Sequence, residues 1–426
     1  MMPDRSSARS PLGFVLVCLL VHQASSTLVL PIVPSLIAEV TGARPAKAAG
    51  WGGLLLLAHA ASQFLFAPLV GALSDRFGRR PVMLLALLGL AGDHVLMALA
   101  PSLGWLLAGR FLAGVTGACL GTALACAADV TAPADRTRVF GRLHGVAGLG
   151  MMAGPLAGGL LSGVEPRFAF WVAGAAALLA AAYGAVALVE TLPPEQRRPF
   201  DPRRANPVAA LSSLSAVAGV GRLLLAMSLN FLAIQAVIAT LPYVAIAKYG
   251  WGETSVGAAL ALIGGVAILV QTVAVPRLKT VLDDRRCVLS SFALYGLSLA
   301  LLSLAPNGMA FALALMLYAA ACFGAPAMHS LLSGRLPAGR QGQLQGGVTA
   351  LMSGASMVGP LAMSGLFMIF TAPGAVVTFP GAPLLFGAGL SLVALLVAGR
   401  ALPAAGEAFP LCSSERVGHD VRSGRL

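Results

Sequence analysis

Long apolar runs separated by short polar connections make up most of the chain. Each run is long enough, at roughly 20 residues or more, to cross a hydrocarbon core of about 30 Å as a helix. The predicted spans are 12–38, 51–73, 81–100, 103–127, 139–163, 167–190, 222–247, 254–275, 287–305, 308–331, 343–370 and 376–400. This pattern predicts an all-α membrane protein with twelve transmembrane helices.

One long polar segment separates the spans into two sets of six. It contains "ETLPPEQRRPFDPRRANP", whose prolines and arginines are typical of a linker and not of a span. We therefore predict four regions along the chain. They are an N-terminal half at 1–190, a cytoplasmic linker at 191–221, a C-terminal half at 222–400 and a cytoplasmic tail at 401–426.

The composition agrees with a membrane protein and excludes several other classes. Charged residues make up 10% of the chain, against about 25% in a soluble protein. The net charge of +12 does not indicate a nucleic-acid partner, because the basic residues are scattered through short connections. Five of the six cysteines lie inside apolar runs, and no spacing predicts a metal, a cofactor or a disulfide framework.

The positions of lysine and arginine predict the orientation in the membrane. If the N-terminus is cytoplasmic, four of the 28 basic residues lie on the far side and one lies within a span. The other 23 lie in the tails, the linker and the connections on the cytoplasmic side. Such an excess of positive charge is typical of the cytoplasmic side, so both termini are predicted to be cytoplasmic.

A weak internal repeat relates the two sets of six spans. The stretch "APADRTRVFGRLHG" at 132–145 matches "LPAGRQGQLQGG" at 336–347, and "AGPLAGGL" at 153–160 matches "VGPLAMSGL" at 358–366. The two offsets, 204 and 205, are nearly equal. Two halves related by a parallel repeat are typical of a secondary transporter whose substrate site lies between the halves near the midplane.

The stretch "GALSDRFGRRP" at 71–81 concentrates charge at the end of the second span. It could serve only as a positive topology anchor. Alternatively, its acid and bases pair in one arrangement of the halves and separate in another, as a conformational latch. The candidate latch residues are Gly71, Asp75, Arg76, Gly78, Arg79 and Arg80.

Several stretches carry a resemblance to a known family. "GALSDRFGRRP" resembles the signature loop of the major facilitator superfamily, and "GRFLAGVTGA" at 109–118 resembles its fourth-helix motif. "GMMAGPLAGG" at 150–159 is similar to its antiporter motif, at Gly150, Gly154, Pro155, Gly158 and Gly159. "QFLFAPLVGALSDRFGRRPV" and "RQGQLQGGVTALMSGASMVGPL" resemble the tetracycline-efflux branch of the drug:proton antiporters.

The resemblance implies a transporter of the bacterial inner membrane that works as a monomer. It implies export of a small, partly apolar molecule in exchange for protons. It also implies that the latch holds the outward-facing state closed on the cytoplasmic side. A dedicated metabolite exporter or a uniporter of the same fold, without proton coupling, is the alternative. We find no nucleophile–base motif and no phosphate-binding loop that would indicate an enzyme.

Ionisable residues inside a membrane are costly and mark functional sites. Asp93 and Arg110 match the third-helix acid and fourth-helix arginine of the tetracycline exporters, and His22 lies in the first span. We predict that these three couple transport to protons, with Asp93 as the carrier; a fixed buried pair is the alternative for Asp93 and Arg110. Polar residues near the interface predict a substrate cavity at His22, Gln23, Ser26, Asn230, Gln235 and His329.

Three positions depart from the tetracycline exporters. His22 stands where their first helix carries an acid, Tyr295 where their ninth helix does, and Ala267 in place of their helix-eight histidine. These replacements argue against tetracycline itself as the substrate. A histidine is positive when protonated and neutral otherwise, so a cationic substrate should be disfavoured.

Overall fold

The computed structural model describes residues 11–117, 119–131, 135–197, 219–335 and 341–402. Within these ranges every element of regular secondary structure is a helix. Most of the predicted linker and nearly all of the predicted tail lie outside the described residues.

Eight helices form the N-terminal half, and they make six spans because two of the spans are interrupted. The helices are α1 Pro11–Leu28, α2 Val33–Thr41, α3 Pro45–Phe77, α4 Arg79–Leu99, α5 Leu103–Val115, α6 Cys119–Val130, α7 Arg136–Leu161 and α8 Phe168–Ala187.

The C-terminal half also has eight helices in six spans. They are α9 Val220–Tyr249, α10 Glu253–Leu269, α11 Val275–Leu278, α12 Asp284–Leu304, α13 Gly308–Ala320, α14 Gly324–Ser333, α15 Gln341–Thr371 and α16 Ala382–Ala401. A π-helical segment, Val270–Ala274, joins α10 to α11, and a 3₁₀ turn, Ala321–Phe323, joins α13 to α14.

Two spans that the sequence predicts as continuous helices are broken. The first bends by 49° between α1 and α2, at a turn that contains Pro31, which has no N–H to donate. The fourth stops at Val115 and resumes at Cys119. The Gln63 side chain donates to the Gly117 carbonyl at this break, at 3.2 Å, so that this freed acceptor is satisfied inside the membrane.

Among the described residues, ten helical spans are long and apolar enough to cross a membrane, and the bent pair α1–α2 makes eleven. The helix that remains is α7, in which seven of 26 residues are glycine, and glycine contributes almost nothing to mean hydropathy. It packs along α1 and α10, lies fifth in chain order and completes the set of twelve spans. The prediction of an all-α membrane fold is confirmed.

The buried apolar residues show how the two halves are arranged. The linker side is defined here as the end of the bundle where Arg79 and the start of the linker lie. On the opposite side one cluster joins both halves, with Phe170 and Phe367 among its members. On the linker side the clusters are separate: Leu143 belongs to one confined to the N-terminal half, and Leu223 to one confined to the C-terminal half.

Glycine contacts between the halves follow the same division. Helix α3 packs on α15, and α7 packs on α10. A methyl group at Gly53 would lie 2.9 Å from the Pro360 carbonyl oxygen, and one at Gly159 would lie 2.6 Å from that of Glu253. A methyl group at Gly71 would meet no neighbouring element within 4 Å. The halves therefore touch on the side opposite the linker and separate toward the linker side.

Candidate functional site

A cavity of about 280 Å³ lies between α1, α3 and α5 of the N-terminal half and α9 of the C-terminal half. Its wall combines polar and apolar side chains. The polar ones are His22, Gln23, Ser26, Thr27, His59, Gln63, Arg110 and Tyr243. All but Tyr243 belong to the N-terminal half, so the two halves contribute unequally to the polar wall.

Helix α3 presents one continuous face to this cavity. Its lining residues are Gly52, Leu55, Leu56, His59 and Gln63. The adjacent pair Leu55 and Leu56 lies three residues from Gly52 and from His59, respectively, and Gln63 follows four residues later, so all five lie on one side of the helix. The predicted site did not include this face, although the helical spacing of His59 and Gln63 in an apolar span was a signal that could have found it.

Asp93 and Arg110 form a buried ion pair beside the cavity. Arg110 Nε donates to Asp93 Oδ1 at 3.2 Å, and Arg110 Nη2 donates to Asp93 Oδ2, so the pair is bidentate. Asp93 is 0% exposed and does not line the cavity, whereas Arg110 does. The carboxylate therefore lies behind the guanidinium, and the predicted coupling residues meet at one place.

His22 completes the predicted coupling group. It is buried in α1, lines the same cavity as Arg110, and its Nδ1 lies 3.3 Å from the Gln23 side-chain oxygen. The structure thus brings His22, Gln23 and Ser26 together with Arg110 in one cavity.

Two further polar atoms in the cavity wall lack a hydrogen-bond partner within the described part of the chain. They are the hydroxyl of Tyr243 and Nδ1 of His59. Sequence reasoning missed Tyr243; its position after Pro242 inside the seventh span is the available signal. An unpaired buried polar atom is costly unless a ligand or water satisfies it, so both atoms are candidate substrate contacts.

Three residues predicted for the cavity lie elsewhere in this conformation. The Asn230 side-chain oxygen accepts from the Ser391 hydroxyl at 3.0 Å, within the C-terminal half. Gln235 packs against Gly359, where a methyl group would lie 2.5 Å from its Cβ. His329 lies on α14, and none of the three lines the cavity.

The candidate latch is a network centred on Arg79. Arg79 Nη1 donates to Asp75 Oδ1 at 2.6 Å, and Arg79 Nε donates to Asp129 Oδ2 at 3.0 Å. Arg80 donates to the Ala185 carbonyl. Each of these partners lies in the N-terminal half. In this conformation the bonds therefore tie the linker-side ends of one half together.

Glu190 is a member of this network that the sequence analysis did not identify. Its carboxylate accepts from the backbone N–H groups of Arg79 at 2.8 Å and Arg80 at 3.2 Å. These groups open α4, so the negative charge also suits the positive end of the helix dipole. Gly78 has φ +105°, and a side chain there would collide with Glu190. Of the other latch residues, the Arg76 guanidinium lies 5.1 Å from the centre of the Phe77 ring.

The predicted antiporter motif is the packing surface of α7. Gly150, Gly154 and Gly158 face α1, where a methyl group at any of them would collide with the backbone of that helix. Gly159 faces α10, and its carbonyl accepts from the Thr254 hydroxyl at 2.8 Å. Pro155 lies inside α7. The motif therefore joins α7 to α1 within its own half and to α10 across the interface.

Two six-span halves around a central polar cavity define a secondary transporter. The chain belongs to the Major Facilitator Superfamily, whose family model matches residues 15–280. It is 35% identical over 369 residues to the class C tetracycline resistance protein of Escherichia coli, covering 86% of this chain and 91% of that protein. It is 34% identical over 340 residues to the class G tetracycline resistance protein of Vibrio anguillarum, covering 80% and 86%.

A solved structure gives the same fold at low sequence identity. The nucleoside transporter NupG superposes with a TM-score of 0.73 at 12% identity, covering 92% of this chain and 100% of that one. This superposition shows the fold, and the family model together with the two relatives confirms the predicted family. The protein is a multi-pass membrane transporter and not an enzyme.

Proposed function

We propose that this protein exports a small, partly apolar molecule across the bacterial inner membrane in exchange for protons. The observation that carries the proposal is the buried Asp93–Arg110 pair beside a cavity between the two halves. A buried carboxylate next to a substrate cavity is the group that a proton exchanger requires. The similarity to tetracycline resistance proteins supports export as the direction.

Asp93 acts as the proton carrier in this scheme. When it is ionised, Arg110 compensates its charge across a bidentate contact; when it is protonated, Arg110 loses its counter-ion. His22, on the cavity wall, adds a group whose charge depends on protonation and so tunes which substrate charges the cavity accepts.

The two halves rock against each other around the cavity. With both termini in the cytoplasm, the separated linker side faces the cytoplasm, so this conformation is inward-facing. Export then requires the halves to close on the linker side and open on the opposite side. The latch around Asp75 and Arg79 stabilises that outward-facing state, and the protein works as a monomer.

The test begins with expression in a bacterial host that lacks its own efflux pumps, screened against a panel of antibiotics and metabolites. A compound that becomes less toxic or less concentrated in the cells is then followed into inverted membrane vesicles. We expect a proton gradient to drive its uptake, and collapse of the gradient to stop it. Asp93→Asn should abolish gradient-driven uptake and leave downhill exchange detectable.

Glu195→Gln is the matched control, because it also removes a carboxylate but at an exposed position outside the spans. It should transport like the parent protein. Gradient-driven uptake that persists in Asp93→Asn removes Asp93 from the mechanism. If uptake by the parent protein does not depend on the proton gradient, the result favours the uniporter and contradicts proton exchange.

A further inference from the structure

We propose that the substrate is an uncharged molecule with an apolar body and hydrogen-bond acceptors, and that the cavity rejects cations. This inference rests on the proposed function and specifies its substrate class. It is carried by the charges on the cavity wall and by the position of Asp93 behind Arg110.

The cavity wall offers no negative charge to a cation. In the part of the chain that the structure describes, no aspartate or glutamate lines the cavity, while Arg110 is a permanent cation and His22 and His59 gain charge on protonation. Asp93, the nearby carboxylate, is fully buried and already paired. A buried cation without a counter-ion is strongly unfavourable, so a cationic substrate has no stable position here.

The remaining lining favours a molecule that is partly apolar and accepts hydrogen bonds. Val29, Leu55 and Ile238 are among the apolar side chains that line the cavity. The Tyr243 hydroxyl, in the C-terminal half, has no partner within the described residues, and the Arg110 guanidinium, in the N-terminal half, can only donate. A substrate with acceptor oxygens would therefore contact both halves.

The direction of proton coupling distinguishes an uncharged substrate from an anion. An anion on Arg110 replaces the Asp93 carboxylate and binds best when Asp93 is protonated. Proton and anion would then travel together, which is opposite to exchange. Anionic substrates are therefore inconsistent with the proposed function.

An uncharged, partly apolar substrate should bind while Asp93 is ionised and leave when Asp93 is protonated. This is the dependence that proton exchange requires. While Asp93 is ionised, the pair with Arg110 has no net charge, and an apolar body can replace water beside it. Once Asp93 is protonated, the unpaired guanidinium needs water, which an apolar body would displace at a large cost. Proton and substrate therefore exclude each other.

Few other groups can contribute to this coupling. Helix α4 packs against α1, α3, α5, α6 and α8. From these helices, the charged or titratable residues that line the cavity are His22, His59 and Arg110, and α4 itself adds the buried His94 beside Asp93. The titratable residues of α6 and α8 do not line it; they are Cys119, Cys126, Asp129 and Tyr183.

Three probes of one shape test the substrate class: 2-naphthamide, 2-naphthoate and 2-naphthamidine. They carry no charge, one negative charge and one positive charge, respectively. Binding to the full-length protein in lipid nanodiscs is measured by calorimetry at alkaline and at acid pH. We expect the amide to bind at alkaline pH and to lose about tenfold or more in affinity at acid pH, as when a buried ion pair loses one partner.

The other probes and one variant complete the design. The anion should bind more tightly at acid pH than at alkaline pH, and the cation should not bind at either. In Asp93→Asn, the amide should bind weakly at both pH values, whereas Glu195→Gln should match the parent protein. If Asp93→Asn does not fold, the pH dependence of amide binding to the parent protein still tests whether proton and substrate exclude each other.

The proposal is overturned if the amidine binds as tightly as the amide, if the amide does not bind, or if its affinity does not fall at acid pH. The proposed function fails separately. If the binding order holds but a proton gradient drives no uptake of the amide into proteoliposomes, the substrate class stands and proton exchange is wrong.

Discussion

Gly109 gives the carboxylate of Asp93 the space in which it meets Arg110. A methyl group at Gly109 would lie 2.9 Å from Asp93 Oδ1, closer than a carbon and an oxygen can approach without a shift. Gly109 is adjacent to Arg110 on α5, so the helix that supplies the guanidinium also shapes the space for its partner.

Gly109→Ala should therefore disturb the ion pair without removing either charge. We expect a loss of about 1–3 kcal/mol in stability, as for overpacking of a tight site, and slower gradient-driven uptake. Thermal unfolding and uptake into inverted vesicles measure the two effects. Gly104→Ala, on the same helix, is the control, because its nearest neighbour would be the Ser102 hydroxyl at 3.8 Å. If the two variants have the same stability and the same uptake, the methyl group at position 109 does not disturb Asp93.

Asp75→Asn should insert normally, because the positive charge of the loop is kept, and should impair transport. The bond between Asp75 and Arg79 lies within the N-terminal half in this conformation. The defect should therefore appear in the equilibrium between the inward-facing and outward-facing states. Arg79→Ala should act in the same direction. Uptake normalised to the amount of protein in the membrane measures the effect.

The control for the latch comes from the second half. Asp283 caps α12 by accepting from the Arg286 N–H at 2.8 Å and occupies the corresponding loop, which lacks the glycines. Asp283→Asn should affect transport less than Asp75→Asn. If both latch variants transport at the parent rate, the loop is only a topology anchor.

Glu190→Gln should weaken the start of α4. The carboxylate accepts from two N–H groups at the positive end of that helix, and an amide keeps the acceptor but loses the charge. We expect a destabilisation of about 0.3–1 kcal/mol, typical of a charge at a helix end. The variant should resemble Asp75→Asn in transport if Glu190 belongs to the same latch, and should resemble the parent protein if it acts on local stability alone.

Cysteines placed at the two ends of the bundle should label from opposite sides of the membrane. Ser102 and Asn307 are exposed opposite the linker side, and Glu195 is exposed at the start of the linker. In a variant without native cysteines, an impermeant thiol reagent should label Ser102→Cys and Asn307→Cys in intact cells but not Glu195→Cys. Labelling of Glu195→Cys from outside would reverse the predicted orientation.

Gly159→Ala should shift the protein away from the conformation described here. The added methyl group meets α10 across the interface, on the side where the halves must touch. The variant should spend more time open on the side opposite the linker. This is measured as faster labelling, from that side, of a cysteine that replaces Ile238 in the cavity wall. Gly145→Ala on the same helix meets no neighbouring element within 4 Å and should label like the parent protein.

The sequence was sufficient for the spans, because apolar length depends little on tertiary detail. It singled out Asp93 and Arg110 as rare charges inside spans, but gave their pairing only as an alternative. It was not sufficient for the helix breaks. The interruption after Val115 depends on Gln63, which lies 54 positions away in the chain from the Gly117 carbonyl that it satisfies. Local propensity contains no information about such a partner.

The structure brings the predicted first-helix residues into one cavity, whereas those predicted in the C-terminal half do not line it, for a related reason. Asn230 is polar and lies in a span, which makes it a reasonable candidate from the sequence. Its partner, Ser391, is 161 positions away and pairs with it inside the half. Polarity alone cannot distinguish a side chain that faces a cavity from one that is satisfied between helices.

The unequal contribution of the two halves to the polar wall has a consequence for how relatives could diverge. Seven of the eight polar lining residues, together with Asp93, lie in the N-terminal half, and Tyr243 is the one supplied by the other half. Recombination that joined this N-terminal half to the C-terminal half of a relative would transfer most of the polar cavity wall and the Asp93–Arg110 pair together. New transport spectra should therefore arise mainly from substitutions in the first and second spans.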